Sequence, residues 1–409
     1  MPIVAITALK TIGVYMQKFT GLEYLLIDIA NNFGLDKEPW DKRIQWVKDN
    51  DKDLESFKNK ADSPNMYAAS VDALRAVQRG EPIGYGISLD ATASGTQWLA
   101  ILTGDKQAAE LCNVINIGSR ADSYTIIFNH MKEKCGNLGL ITRDQVKKAI
   151  MTSLYGSKAK PKELFPKAIE QFEETMSEMM PEVWELNKFL SGPAWNPTVN
   201  EYTWVLPDNF HVHIKVKDLV EHTINFNGID YKFYTKVQKP TDTGRSLGAN
   251  LIHSLDGMVV REMVTRCNFG SEVQKVKDIL NNSLMCRGTE EDNQMVNTLW
   301  NLYKETGFLS ARILKYLYSD NIELIDKEPI KKLVDSLPTK SFEILPIHDC
   351  FRILPNYGND LRQQYINLMY EVSKSNLLNY LLKQIGIEAT WIKPYDLSEA
   401  ILNSEYALS

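Results

Sequence analysis

Apolar residues recur at helical spacing over 21–33 and again over 40–50, so the chain is expected to open with two helices. At 85–90, Tyr-Gly-Ile-Ser-Leu-Asp, the pattern contracts to a short buried strand. It runs into a small-residue turn from Ala91 to Gly95, followed by an apolar helix from about Thr96. Most of 106–190 reads as helical. Alternation takes over in 201–237 (Thr203, Val205; His211, His213; Phe233, Thr235), and Pro207-Asp208-Asn209 and Asn227-Gly228 supply turn signals, so hairpins are expected there. Helical spacing returns from 250 to about 335. The stretch from Phe342 to Leu354 then reads as two short strands meeting at His348-Asp349. The sum is an α+β fold with a small antiparallel sheet that carries acids at its strand ends. No repeat, low-complexity tract or Pro/Gly-rich linker divides the chain, which predicts one interdigitated architecture.

Composition narrows the class. With 409 residues, 44% hydrophobic and 24% charged, the chain is neither disordered nor fibrous. No segment reaches the roughly 18 consecutive apolar residues of a membrane span, and the opening Met-Pro-Ile-Val-Ala-Ile-Thr lacks the basic start of a signal peptide. A cytoplasmic protein with no membrane partner is the default expectation. Five scattered cysteines without paired ligand spacing point to reduced thiols and away from a structural zinc. The net charge of −6 argues against nucleic acid only globally, because Lys147, Lys148, Lys158, Lys160, Lys162 and Lys167 cluster against a single acid, Glu163. A solvated helix face explains that cluster equally well.

The segment Thr142 to Gly156 is the most informative. Thr142 and Gln145 have capping-box spacing, and Gly156 suits the left-handed position past a helix end. Arg143, Lys147, Met151 and Tyr155 recur every fourth residue and so share one ridge. Cations in the first turns oppose the helix dipole, a conflict that a polyanion such as a triphosphate resolves. The alternative is an ordinary amphipathic helix whose long cations reach water.

Asp90 ends the first predicted strand and Asp349 tips the last hairpin. Phosphodiester formation needs hard cations held by converging carboxylates, and these two acids are candidates for that work, although a lone strand-end Asp is usually a turn or cap residue.

Taken in order, Asp90-Ala-Thr-Ala-Ser-Gly95, the Arg143-x-x-x-Lys147-x-x-x-Met151-x-x-x-Tyr155-Gly156 helix and Ile347-His348-Asp349-Cys350-Phe351 resemble motifs A, B and C of the single-subunit DNA-directed RNA polymerases of phages and mitochondria. Gly34-Leu-Asp36-Lys37 with Arg43 downstream, the block from Ala249 to Gly257 and the tail from Ile401 to Ala407 resemble further family blocks. The resemblance implies a right-hand architecture with palm and fingers. Two Mg²⁺ ions would be held by Asp90, Asp349 and the Ala91 carbonyl. Lys37, Arg143 and Lys147 would grip the triphosphate, Tyr155 would border the sugar and base, Gly156 would admit the template, and His253 would lie near the nascent pair. Lys147 and Tyr155 join the two aspartates as catalytic candidates. His348 is expected to orient its hairpin, and a buried structural role remains an alternative for His253.

Family-A DNA polymerases are the competing enzyme class. They resemble one another in a bulky Glu five residues after the first aspartate, where this chain has Gly95, which leaves room for a ribose 2′-hydroxyl. Val259 replaces a histidine usual in the RNA polymerases, so looser sugar discrimination is expected. A catalytically inactive, polymerase-shaped binding subunit is the remaining alternative. The implied organisation is 1–110 as the start of the palm, 111–200 as fingers, 201–250 as a hairpin region like a promoter-reading loop, 251–269 as a palm return, 270–335 as a helical insertion and 336–409 as palm with motif C. Asn209, His211, His213, Lys215 and Lys217 are candidate DNA contacts. The implied partners are DNA template, RNA product and ribonucleoside triphosphates. A second polypeptide would supply the N-terminal domain and thumb, as in the two-chain RNA polymerase of certain podoviruses. Such a protein would work in the cytoplasm of an infected bacterium.

Overall fold

The computed structural model describes residues 16–136, 141–244 and 246–409; the reading of Met1 to Thr7 lies outside them. Helices α1 (Gly21–Ala30), α2 (Trp40–Asp49) and α3 (Pro64–Gln78) precede strand β1 (Ile87–Asp90). Then come α4 (Ser94–Thr103), α5 (Lys106–Leu111), α6 (Ser123–Cys135), α7 (Arg143–Leu154), α8 (Ala159–Leu164), α9 (Ile169–Met179) and α10 (Pro181–Leu190). Strands β2 (Glu201–Val205), β3 (His211–Lys215), β4 (Lys217–Phe226) and β5 (Ile229–Gln238) form two antiparallel hairpins. Helices α11 (Ser246–Cys267), α12 (Glu272–Leu280), α13 (Glu290–Thr306) and α14 (Lys327–Ser336) lead to β6 (Leu345–Ile347) and β7 (Cys350–Ile353). The chain continues through α15 (Gly358–Lys374), α16 (Leu377–Gln384) and α17 (Ser398–Ile401). Helix and strand are thus mixed as the hydrophobic pattern implies. No helix among the described residues is long and apolar enough to cross a membrane.

The central sheet has the order β1-β7-β6, all antiparallel. Ile87 and Leu89 point into the core with Phe351 and Ile353, each no more than 2% exposed, while the residues that alternate with them are partly or fully exposed. Beneath them Tyr365 of α15 packs against Trp98 and Phe351 and donates to the Gln97 side chain at 2.9 Å. Gln97 in turn donates to the carbonyls of Cys112 and Ala407, which ties the sheet floor to the C-terminal tail.

Two features depart from the expected single interdigitated body. Residues around α12, α13 and α14 close over a second apolar cluster, including Val276, Leu299, Ile313 and Ile330, separate from the main core. A buried charged network fastens it. Glu262 of α11 accepts from the Ser310 hydroxyl and the Ala311 N–H, while Arg266 bridges Glu262 and Glu371 of α15. The second departure is the β4–β5 hairpin. Its register pairs Val220 with Thr235, His222 with Phe233, Ile224 with Tyr231 and Phe226 with Ile229, so one face is apolar. The other face carries Glu221, Lys232 and Lys236, and both faces are exposed. Asn227 and Gly228, both with φ above +50°, form the tight turn that the Asn-Gly pair signals.

Asp28 of α1 positions β1. It is 2% exposed and accepts from the Ser88 N–H (2.9 Å), the Tyr85 hydroxyl (2.7 Å) and the Asn32 amide (3.0 Å). Burial nevertheless raises its pKa to about 6. Because the folded chain holds that proton more tightly than the unfolded one, Asp28 favours folding at low pH, and this contribution is lost as pH rises from about 4 to about 6. Asp28→Asn should remove on the order of 3 kcal/mol of that decline, read by denaturant unfolding across this pH window; an unchanged slope would refute the assignment.

Candidate active site

The register that pairs Asp90 with Cys350 sets Asp90 and Asp349 side by side at one end of the sheet. The Ala91 N–H donates to the Asp349 carbonyl at 3.1 Å and fixes the junction. The tail reinforces it: Asp90 and Ser409 exchange backbone hydrogen bonds of 3.2 and 2.9 Å, and the Thr92 N–H donates to the Ala407 carbonyl at 3.1 Å. Among the described residues no backbone N–H is given to the Ala91 carbonyl, so that oxygen is available beside the two carboxylates. His348, exposed and at φ 57°, occupies the left-handed position of the β6–β7 turn.

Both aspartates line a cavity of about 490 Å³ whose opposite wall is α7. The capping box of Thr142 with Gln145 forms as anticipated, and Gly156 ends the helix at φ 81°. Arg143, Lys147, Met151 and Tyr155 all face the cavity along one ridge. The expected conflict at the helix start is partly relieved within the protein. Arg143 donates to both Asp122 oxygens at 2.7 and 2.8 Å and to the Thr125 hydroxyl at 2.7 Å, while Asp122 also caps α6. Lys147 has no such carboxylate within 4.0 Å among the described residues; its ammonium lies 5.6 Å from the Tyr124 ring centroid.

Lys37 reaches the same cavity from the turn after α1. Gly34 makes that turn at φ 116°, with Asp62 so close that any Cβ would meet its carboxylate at 2.6 Å. Arg43, fully buried, holds the turn from below by donating to the carbonyls of Asp36 (2.5 Å) and Glu38 (2.7 Å).

Gly95 lies in the first turn of α4, directly under Tyr155. A Cβ there would sit 3.2 Å from the Tyr155 hydroxyl and 3.5 Å from Ile252. Tyr155 stacks on His253, with ring centroids 4.7 Å apart and planes 13° from parallel. His253 is exposed, which overturns the buried structural alternative: the first turns of α11 put it at the cleft, not in the core. Beyond Tyr155 and Asp349 a second chamber of about 640 Å³ opens, lined by His253, Asp256, Gly257, Val259 and His348.

Acids dominate the sheet end. Asp90 opens toward solvent through the cavity mouth, yet protein walls and then the neighbouring Asp349 raise its pKa to about 6. Asp256 is pushed up to about 7, again by burial first and Asp349 second. Crowded carboxylates of this kind are relieved by a cation. Among the described residues no three His, Cys, Asp or Glu side chains converge on one point. Two carboxylates and a carbonyl match the sparse oxygen set of Mg²⁺, whose shell is completed by water and phosphate. Sequence reasoning missed Arg120, Asp122 and Tyr124, which reach the cavity from the loop before α6 and its first turn; only the Asp122 cap position carries a local signal.

Residues 17–202, which include Lys37, Asp90, Gly95, Arg143, Lys147 and Tyr155, match the model of the DNA-dependent RNA polymerase family. A probable DNA-directed RNA polymerase of Neurospora crassa is 29% identical over 158 residues, 34% of this chain and 18% of that protein. The mitochondrial DNA-directed RNA polymerase of Schizosaccharomyces pombe is 29% identical over 169 residues, 33% of this chain and 14% of that protein. A probable DNA-directed RNA polymerase of a Gelasinospora species is 26% identical over 352 residues, 80% of this chain and 39% of that protein. The chain is similar over residues 17–202 to the DNA-dependent RNA polymerase family. It spans less than half the length of these curated relatives.

The left-handed turn beside Asp349 makes a direct prediction. His348→Val, which adds a β-branch at φ 57°, should destabilise the chain by about 1–2 kcal/mol, whereas His348→Gly should not. Equal denaturation midpoints for the two variants would refute this.

Proposed function

We propose that this chain carries the nucleotidyl-transfer centre of a DNA-directed RNA polymerase, which adds ribonucleoside triphosphates to an RNA 3′ end on a DNA template with two Mg²⁺ ions. One observation carries the reading: Asp90 and Asp349 stand side by side on the wall of the cavity that Lys37, Arg143 and Lys147 also line. The Asp90 and Asp349 carboxylates, with the Ala91 carbonyl, would hold two Mg²⁺ ions, which would supply charge stabilisation to the attacking and leaving oxygens.

On this reading Arg143, already oriented by Asp122, and Lys147 take the triphosphate charge, and Lys37 closes on it from the facing turn. Lys147, lacking a carboxylate of its own, keeps its ammonium for the leaving phosphates. Tyr155, stacked on His253, borders the sugar, and Gly95, packed closely under the Tyr155 hydroxyl, puts no side chain in the way of a ribose 2′-hydroxyl. Gly156 lets the template approach the helix end. This favours RNA over DNA synthesis. Val259, buried in the wall of the second chamber, offers no polar group to check the sugar. The exposed row His211, His213 and Lys215 on β3, with Lys217, is assigned to DNA contact. A second polypeptide belongs to this reading, supported by the uncovered apolar face of β4–β5, since a two-stranded ribbon is marginal in water alone.

Primer–template extension with Mg²⁺, by the assembly containing this chain, tests the proposal. Asp349→Asn should reduce incorporation to background while leaving the fold intact, and an active variant would refute the mechanism. Gly95→Glu should depress ribonucleotide incorporation more than deoxyribonucleotide incorporation; an unchanged ratio would refute the sugar assignment.

A further inference from the structure

The cavity holds a fourth cation that neither the motifs nor the preceding assignments use. Arg120 lies in the loop before α6, and that loop is held firmly. The buried Asn113 side chain accepts from the Ala121 N–H at 2.7 Å and donates to the Ala121 carbonyl at 3.0 Å, and Asp122 caps α6 one residue further on. The guanidinium is therefore presented from a fixed backbone, and it lines the cavity together with Lys37, Arg143 and Lys147.

Its surroundings differ from those of Arg143. Asp36, Asp122 and Asp90 surround Arg120 electrostatically, yet no carboxylate oxygen of the described residues comes within 4.0 Å of its nitrogens. Its Nε is buried and meets no acceptor. Arg43, a fully buried guanidinium, is close enough to be repelled by it. A guanidinium offers five N–H donors in a planar fork and accepts none. Leaving a buried donor unmade costs about 1–3 kcal/mol. Arg43, Arg266 and Arg362 are buried and bonded to carbonyls or carboxylates, and Arg261 and Arg352, each with one buried nitrogen unmet, still bond through another to Asp208 and to the Gly86 carbonyl. Arg120 alone among these makes no hydrogen bond within the described residues, and it stands at the wall of the cavity that holds the carboxylate assigned to metal.

We propose that Arg120 is a substrate-binding residue whose guanidinium forks onto the polyphosphate of the incoming nucleotide, opposite the Arg143–Lys147 ridge. This rests on the nucleotidyl-transfer reading of the cavity. A phosphate oxygen supplies the acceptor that Arg120 lacks, and a polyanion separates it electrostatically from Arg43. Planar, bidentate recognition of phosphate is the role for which arginine is not replaceable by lysine.

Calorimetric titration of inorganic tripolyphosphate with Mg²⁺ into the full chain tests the assignment. Arg120→Gln should weaken binding roughly 10- to 100-fold, the range expected for a charge-assisted hydrogen bond, while adenosine binding is unchanged. Arg120→Lys, which keeps the charge and loses the fork, should fall between the two and also serves if the glutamine variant does not fold. Undiminished tripolyphosphate affinity in a folded Arg120→Gln or Arg120→Lys would overturn the role of Arg120 and leave the cavity reading standing. Failure of the unsubstituted chain to bind tripolyphosphate would overturn both.

Discussion

The antiparallel pairing of β1 with β7 is the constraint on which the site depends. Asp90 and Asp349 come from distant parts of the chain, and nothing local brings them together. Four paired positions, from Ile87 with Ile353 to Asp90 with Cys350, fix their relative height. Because side chains alternate along a strand, a slip of one residue would turn Leu89 and Phe351 out of the core and the acids away from the cleft. The apolar floor of Trp98, Phe351 and Tyr365 forbids that slip. Core packing thus sets the carboxylate geometry, and the tail bonded to Asp90 and Thr92 removes the remaining freedom of the strand end.

Across the cavity the protein gathers charge of the opposite sign without neutralising it. Arg143 is matched by Asp122, but Lys147 and Arg120 are not matched by any carboxylate at ion-pair distance among the described residues. At the sheet end Asp90 and Asp256 have raised pKa values, through burial first and the neighbouring Asp349 second. Each wall is less favourable alone than with an intervening ligand that carries both cation and polyanion. Such an arrangement gives stability to ligand recognition, since the groups are already oriented and partly desolvated before anything binds.

Much of this was legible in the sequence, for identifiable reasons. The boundaries of α7 are written in Thr142, Gln145 and Gly156, whose roles depend only on local backbone geometry. The turn at Asn227-Gly228 and the strands flanking His348-Asp349 are equally local. Illegible features require knowledge of what lies across space. Arg120 sits in a polar loop, Asn116-Ile-Gly-Ser-Arg120, that reads as ordinary surface until the fold turns it toward Asp90. The apolar face of β4–β5 was legible in the alternation of Ile229, Tyr231, Phe233 and Val237 along β5, but that this face stays exposed shows only in the fold. The second core is hidden for the same reason: helical periodicity reports that an apolar face exists, not which neighbour covers it.

The separate core around α12, α13 and α14 has a consequence for cooperativity. Its apolar residues bury one another, and its buried tie to the main body runs through Glu262, Arg266, Glu371 and Ser310. A region with its own apolar core can open locally while the central sheet stays paired. Length changes within 270–335 would fall on that separate core and not on the strands that carry Asp90 and Asp349.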